Sequence, residues 1–177
     1  MEHVDAVYGI HVGNLAGKLP VGTISMIKGP VSAGKDKFKI TIHGKGCHGA
    51  FPSHGIDPIR ISAHVITALN EMYARELPST GGSVFSFGSV HAGVDNNTIP
   101  ETAELAGTIR NQNSDIREFV NRRMPELTKA IVTSYGTTCD YELVRGSNPV
   151  VNDADFTQMA IEATEKAGFA VNTKTDE

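Results

Sequence analysis

The chain reads as an α+β protein: a ferredoxin-like βαββαβ sandwich, with a four-stranded antiparallel sheet carrying two helices on one face. Three observations predict it. Residues 37–43, Lys-Phe-Lys-Ile-Thr-Ile-His, alternate polar and apolar side chains, the period of a half-buried strand. Two longer stretches, beginning at Asp57 and near Ser114, repeat apolar residues at helical spacing. Between Lys37 and Arg145 the order is strand, helix, strand, strand, helix, strand. In that topology the first and last strands are antiparallel neighbours. Asp36 and Gly146 are therefore expected close together, which lets such a block be inserted into another domain.

Residues 4–29 read as two short strands, Val7–Val12 and Gly22–Lys28, around a Gly/Pro turn. After the strand at 37–43, a helix is expected from Asp57, with Asp57 as N-cap and Pro58 in the first helical position. Its apolar stripe is Ile61, Val65, Ala68, Leu69 and Met72. Residues 77–82 form a turn-rich link. Strands follow at Val84–Ala92 and Thr102–Arg110, joined by a long polar loop from Gly93 to Pro100. The second helix runs from about Ser114 to Tyr135, with Ile116, Val120, Met124, Leu127 and Ile131 on its buried face. Gly136 suits its C-terminal cap, and Pro125 inside it removes one backbone donor. The last strand of the block is Cys139–Val144, and a third helix begins near Asn152.

The block divides the 177 residues into three parts: 1–34, 35–147 and 148–177. The outer two are too short to close a core of their own and read as cut edges of a larger host domain. A net charge of −4 argues against nucleic-acid binding, which calls for a basic stripe. No apolar run approaches membrane-spanning length, and the first residues lack the pattern of a secretory signal, so a cytoplasmic protein is expected. Two cysteines, Cys47 and Cys139, make neither a disulfide framework nor a zinc cluster. The stretch Gly29–Lys35 imitates a phosphate-binding loop, but Asp36 and a strand follow where Ser or Thr and a helix are required.

The densest signal for chemistry is Gly44-Lys45-Gly46-Cys47-His48-Gly49-Ala50-Phe51-Pro52, followed by Gly55-Ile56-Asp57-Pro58. It sets one histidine among small residues that let a ligand approach the backbone. Alone, His48 reads as a surface loop histidine. With Asn97-Thr98-Ile99-Pro100, Gly107-Thr108-Ile109-Arg110, Tyr8-Gly9-Ile10-His11-Val12 and Leu19-Pro20-Val21-Gly22-Thr23, the chain resembles one family over about residues 4–153. It is the metal-dependent amidohydrolase and carboxypeptidase family of aminoacylases, hippurate hydrolases, carboxypeptidase G and indole-acetyl-amino-acid hydrolases. The likeness is to the middle of such an enzyme: its lid and dimerisation domain, residues 35–147, flanked by fragments of the catalytic domain at 1–34 and 148–177.

The resemblance implies roles residue by residue. His48 would stabilise the oxyanion in the active site of the partner subunit; Cys47 departs from the small residue usual before it. Asn97, otherwise a turn residue, would contact substrate. Arg110, otherwise a surface cation, would lie near the substrate carboxylate, for which a planar guanidinium is suited. His11 would be a metal ligand, but only with co-ligands that this sequence lacks: there is no adjacent Glu pair and no histidine after His91. His43, His54, His64 and His91 show no metal-ligand spacing.

The expected parent is thus a hydrolase of N-acyl amino acids or related amides using two divalent ions, zinc or manganese. This chain alone is expected to hold no metal tightly and to be inactive. A homodimer is expected through the edge strand 84–92 and its neighbouring helix. The alternative is a non-enzymatic ferredoxin-like module for small-molecule binding or assembly.

Overall fold

The structure, a computed structural model, describes residues 3–12, 19–79 and 82–174. In chain order the elements are β1 (Thr23–Ser25), β2 (Gly29–Ser32), β3 (Gly34–His43), β4 (Cys47–His48), α1 (Pro58–Glu76), β5 (Ser83–Ala92), β6 (Thr98–Ile99), β7 (Thr102–Asn111), α2 (Ser114–Ser134), β8 (Cys139–Arg145), β9 (Val150–Asn152), α3 (Ala154–Lys166) and β10 (Ala170–Asn172). They form two compact units, one of residues 33–149 and one of the stretches on either side.

In the unit 33–149, β5, β7, β3 and β8 lie side by side in that order, every pair antiparallel. The alternation read at 38, 40 and 42 extends along all of β3: Asp36, Phe38, Ile40 and Ile42 are buried and the residues between them are not. Both long helices cover the buried face, and Val65 and Leu69 of α1 share one core with Val120 and Met124 of α2. Asp57 Oδ1 accepts the Ile59 and Arg60 N–H groups at 2.9 and 3.3 Å, which fixes the start of α1 where the Asp-Pro pair demands. Asn113 caps α2 in the same way, and Gly136 at φ +74° follows its end. Gly107 is glycine because strand and core close on it: a Cβ there would sit 2.6 Å from the Phe38 ring.

A buried charge ties the two ends of this unit together. Asp36 is 1% exposed, and its carboxylate accepts hydrogen bonds from Arg117 Nε (2.8 Å) and Nη2 (2.6 Å), Asn121 Nδ2 (3.1 Å) and the Gly146 N–H (3.0 Å). Arg117 in turn donates to Asn148 Oδ1 and the Gly146 carbonyl. The residue that opens the block and the residues that leave it thus share one guanidinium. Burial alone would raise the Asp36 pKa; the hydrogen bonds from Arg117, Asn121 and Gly146 outweigh it and hold the carboxyl down at about 2, against an ordinary 3.8. A depressed carboxyl adds stability that is fully present above its unfolded value and is lost as pH falls through the folded one. Thermal melts are therefore expected to lose stability between about pH 4 and pH 2, by about 2 kcal/mol from this group. An Asp36→Asn variant should lack that part of the pH dependence; an identical acid profile would contradict the assignment.

The flanking unit is smaller. β1 pairs with β10 in parallel, and β2 with β9 in antiparallel fashion. Asp153 caps α3, so the helix starts at Ala154 while Asn152 stays paired with Gly29. Two expectations need correction here. Val7–Val12 is not a strand: it joins no ladder among the described residues, and Val7, Ile10 and Val12 are 73%, 87% and 89% exposed. An apolar alternation becomes a strand only where a partner takes its backbone bonds. The strand read at 22–28 is shorter, Thr23–Ser25, and Gly29–Ser32 is extended in its own right. The flank also carries β10 after α3, for which the sequence offered no expectation. Of the turns read at 13–22 and 77–82, residues 13–18, Thr80 and Gly81 lie outside the described residues.

Candidate functional site

The loops before α1 and before β7 are zipped together at one end of the sheet. Gly44 N–H donates to Glu101 O at 2.6 Å. Cys47 pairs with Ile99 and His48 with Thr98, as β4 against β6, and Gly49 N–H donates to Asn97 O at 2.7 Å. The small residues of the motif are steric necessities: a Cβ on Gly44 would meet Ile56 O and the Pro58 ring at 2.6 Å, and one on Gly49 would meet Asn97 O at 2.9 Å. This ladder puts His48 and Asn97 beside each other.

The His48 ring is exposed. Its Nδ1 accepts the Ala50 N–H at 3.1 Å. In the neutral ring that bond assigns the proton to Nε2, leaving an N–H free to donate away from the loop. The Phe51 ring, 58% exposed, lies 5.9 Å from the His48 ring and stacks on His54 at 5.6 Å. Asn97 is also exposed; its Oδ1 accepts the Thr98 hydroxyl, and its amide NH2 makes no hydrogen bond among the described residues. Cys47 is half-buried, with its thiol directed at Phe51 O at 3.5 Å.

Arg110 is elsewhere. On β7 it faces Lys35 on one side and Val84 on the other, eight positions from Thr102. At 3.3 Å per residue that is about 26 Å from the His48–Asn97 end. One copy of the chain therefore does not bring the three residues together. His11, in the flanking unit, is exposed and its Nδ1 lies 3.0 Å from Val12 O. Among the described residues no group of three His, Cys, Asp or Glu side chains could hold a metal ion. A divalent ion needs about three protein ligands, so His11 with its described neighbours does not fit one.

The sequence reading missed the Asp36–Arg117 network. The signal was there: Asp36 continues the buried phase of Phe38, Ile40 and Ile42, and a charge on a core face requires a partner.

Residues 32–134 match the family of the peptidase dimerisation domain. The chain belongs to that family. It is 34% identical over 175 residues to thermostable carboxypeptidase 2 of Saccharolobus solfataricus, covering 98% of this chain and 44% of that protein. It is 34% identical over 169 residues to N-acetylcysteine deacetylase of Bacillus subtilis, covering 96% and 44%. A solved structure of a dinuclear metal-binding peptidase from Bacillus subtilis superposes with a TM-score of 0.71 at 30% identity, covering 90% of this chain and 39% of that one. The dimerisation domain thus belongs to a family of hydrolases that includes carboxypeptidases and deacetylases, and the chain spans less than half the length of the curated relatives named here. No described helix is long and apolar enough to cross a membrane.

Proposed function

We propose that this dimerisation domain is the lid of a metal-dependent amidohydrolase acting on N-acyl amino acids or related amides, and that its His48 works on substrate held by the partner subunit. The observation that carries the reading is an exposed imidazole whose Nδ1 is already committed to Ala50 N–H, so that the neutral ring offers Nε2–H. As water adds to the amide carbon, the carbonyl oxygen gains negative charge, and a fixed N–H donor favours that state over the planar amide. Asn97 beside it offers an amide to the substrate, and Arg110 a bidentate partner for a carboxylate.

The separation of Arg110 from His48 supports action across a two-fold axis. β5 is an edge strand with its second side unpaired among the described residues. If two copies pair β5 to β5 in antiparallel fashion, the Ser83 end of one lies beside the Ala92 end of the other. Arg110 sits at the Ser83 end and the His48–Asn97 loops at the Ala92 end, so each composite site takes Arg110 from one copy and His48 from its partner. We read residues 35–147 as a ferredoxin-like insertion, and the flanks as parts of a catalytic domain completed by chain beyond this sequence. Zinc or manganese would be held there, and His11 would serve as a ligand only beside co-ligands that this sequence does not contain.

The dimer geometry is tested by charge. Val84 and Ser86 are exposed on β5. A Val84→Lys/Ser86→Lys variant sets like charges along the proposed seam, which cross-strand pairing disfavours. Sedimentation equilibrium is expected to give a dimer for the unaltered chain and a monomer for the variant. A variant that dimerises as tightly as the parent would refute pairing through β5.

A further inference from the structure

The outer face of the sheet, away from α1 and α2, is charged unevenly. Toward the His43 end its cations are matched: Lys39 Nζ lies 2.8 Å from Glu104, with Glu142 also acting on it, and His43 lies 2.8 Å from Asp140. Toward the Gly34 end they are not. Lys35 and Arg110 are direct cross-strand partners on β3 and β7, and Lys37 follows on the same face opposite Thr108. None of these three cations makes an ion pair among the described residues.

Directly opposed like charges in a sheet are destabilising, their Cβ atoms being only about 5 Å apart. The acid nearest in sequence gives no relief: Asp36 points to the other face and is consumed by Arg117. Glu104 and Glu142 flank Lys39, four residues along β3 from Lys35, about 13 Å away and beyond the screening length in physiological salt. Lys35 is half-buried, which limits how far its ammonium can swing from Arg110. Thr108, opposite Lys37 and two residues before Arg110 on β7, adds a hydroxyl to the cluster.

We infer that Lys35 and Arg110 form a two-cation site whose ligand is a substrate carrying two carboxylates, one met by each side chain. The inference rests on the reading of Arg110 as the carboxylate partner and extends it to substrate class: an N-acyl amino acid with an acidic side chain or a dicarboxylic acyl group. Lys35 is then the specificity residue, because Arg110 serves any substrate with an α-carboxylate and Lys35 only those with a second one. A charge-assisted hydrogen bond is worth enough to change affinity about tenfold.

The test compares two near-isosteric probes that differ by one negative charge, N-acetyl-L-glutamate and N-acetyl-L-glutamine. Binding to the 177-residue chain is measured by calorimetry at fixed ionic strength. The glutamate compound is expected to bind about tenfold tighter. Lys35→Gln should abolish that preference, and Lys35→Arg should restore it, each with an unchanged circular dichroism spectrum. Equal binding of the two probes, no binding of either, or a preference that survives Lys35→Gln overturns the inference. In the full-length enzyme, Lys35→Gln should lower the ratio of kcat/KM between doubly and singly charged substrates by about tenfold. The binding readout needs no turnover, so it fails or succeeds separately from the role given to His48.

Discussion

On the proposed reading, replacing His48 by alanine in the full-length protein is expected to lower kcat by on the order of a hundredfold or more, with metal content and dimer mass unchanged. The size follows from what a preorganised donor does. Its hydrogen bond strengthens as charge develops on the carbonyl oxygen, so its loss appears in kcat more than in KM. The setting of the ring fits that role: the Ala50 N–H holds Nδ1, and the β4–β6 ladder holds the backbone. The ring is exposed and takes no part in the buried core, so its removal should leave the melting temperature within the usual range for surface changes. A fall in metal content or stability equal to the fall in kcat would reassign His48 to structure.

Asp36→Ala should destabilise the unit 33–149 by about 3–5 kcal/mol, the penalty for leaving a buried guanidinium without its carboxylate. Arg117 is 4% exposed, and in the variant it would keep only Asn148 Oδ1 and the Gly146 carbonyl, both neutral acceptors. Denaturant melts measure the loss directly. Because the network joins Asp36 to Gly146, the damage should concentrate where the chain enters and leaves the block, and amide exchange near residues 34–36 and 145–148 should rise more than in the centre of the sheet. A paired Asp36→Leu/Arg117→Met variant should regain much of the loss, since replacing a buried ion pair by apolar groups of similar size is often neutral or better. A loss below about 1 kcal/mol for Asp36→Ala would mean that the pair is wetter than its burial indicates.

Much of the unit 33–149 was legible because its signals are local. Asp57-Pro58 started one helix, Gly136 ended another, and the alternation at Phe38, Ile40 and Ile42 set the face of the central strand. What was not legible depends on residues far apart in sequence. The two-residue ladder that sets His48 against Thr98 spans fifty positions and carries no periodicity of its own. The Asp36–Arg117 pair spans 81 positions, and only the phase of one acidic residue betrays it. Val7–Val12 shows the reverse failure: its apolar residues suit a strand, but no described strand pairs with it. His48, Asn97 and Arg110 were picked out by resemblance to a family, and nothing in their spacing announced that one copy of the chain would hold Arg110 at the end of the sheet opposite His48 and Asn97.

The most direct test of that division mixes two disabled enzymes. Full-length His48→Ala and full-length Arg110→Ala are each expected to be nearly inactive. Unfolded and refolded together in equal amounts, they form mixed dimers in which one composite site has both intact residues. Random pairing should then restore about a quarter of the parental activity. A mixture no more active than its two components would contradict the claim that His48 acts on the partner's substrate.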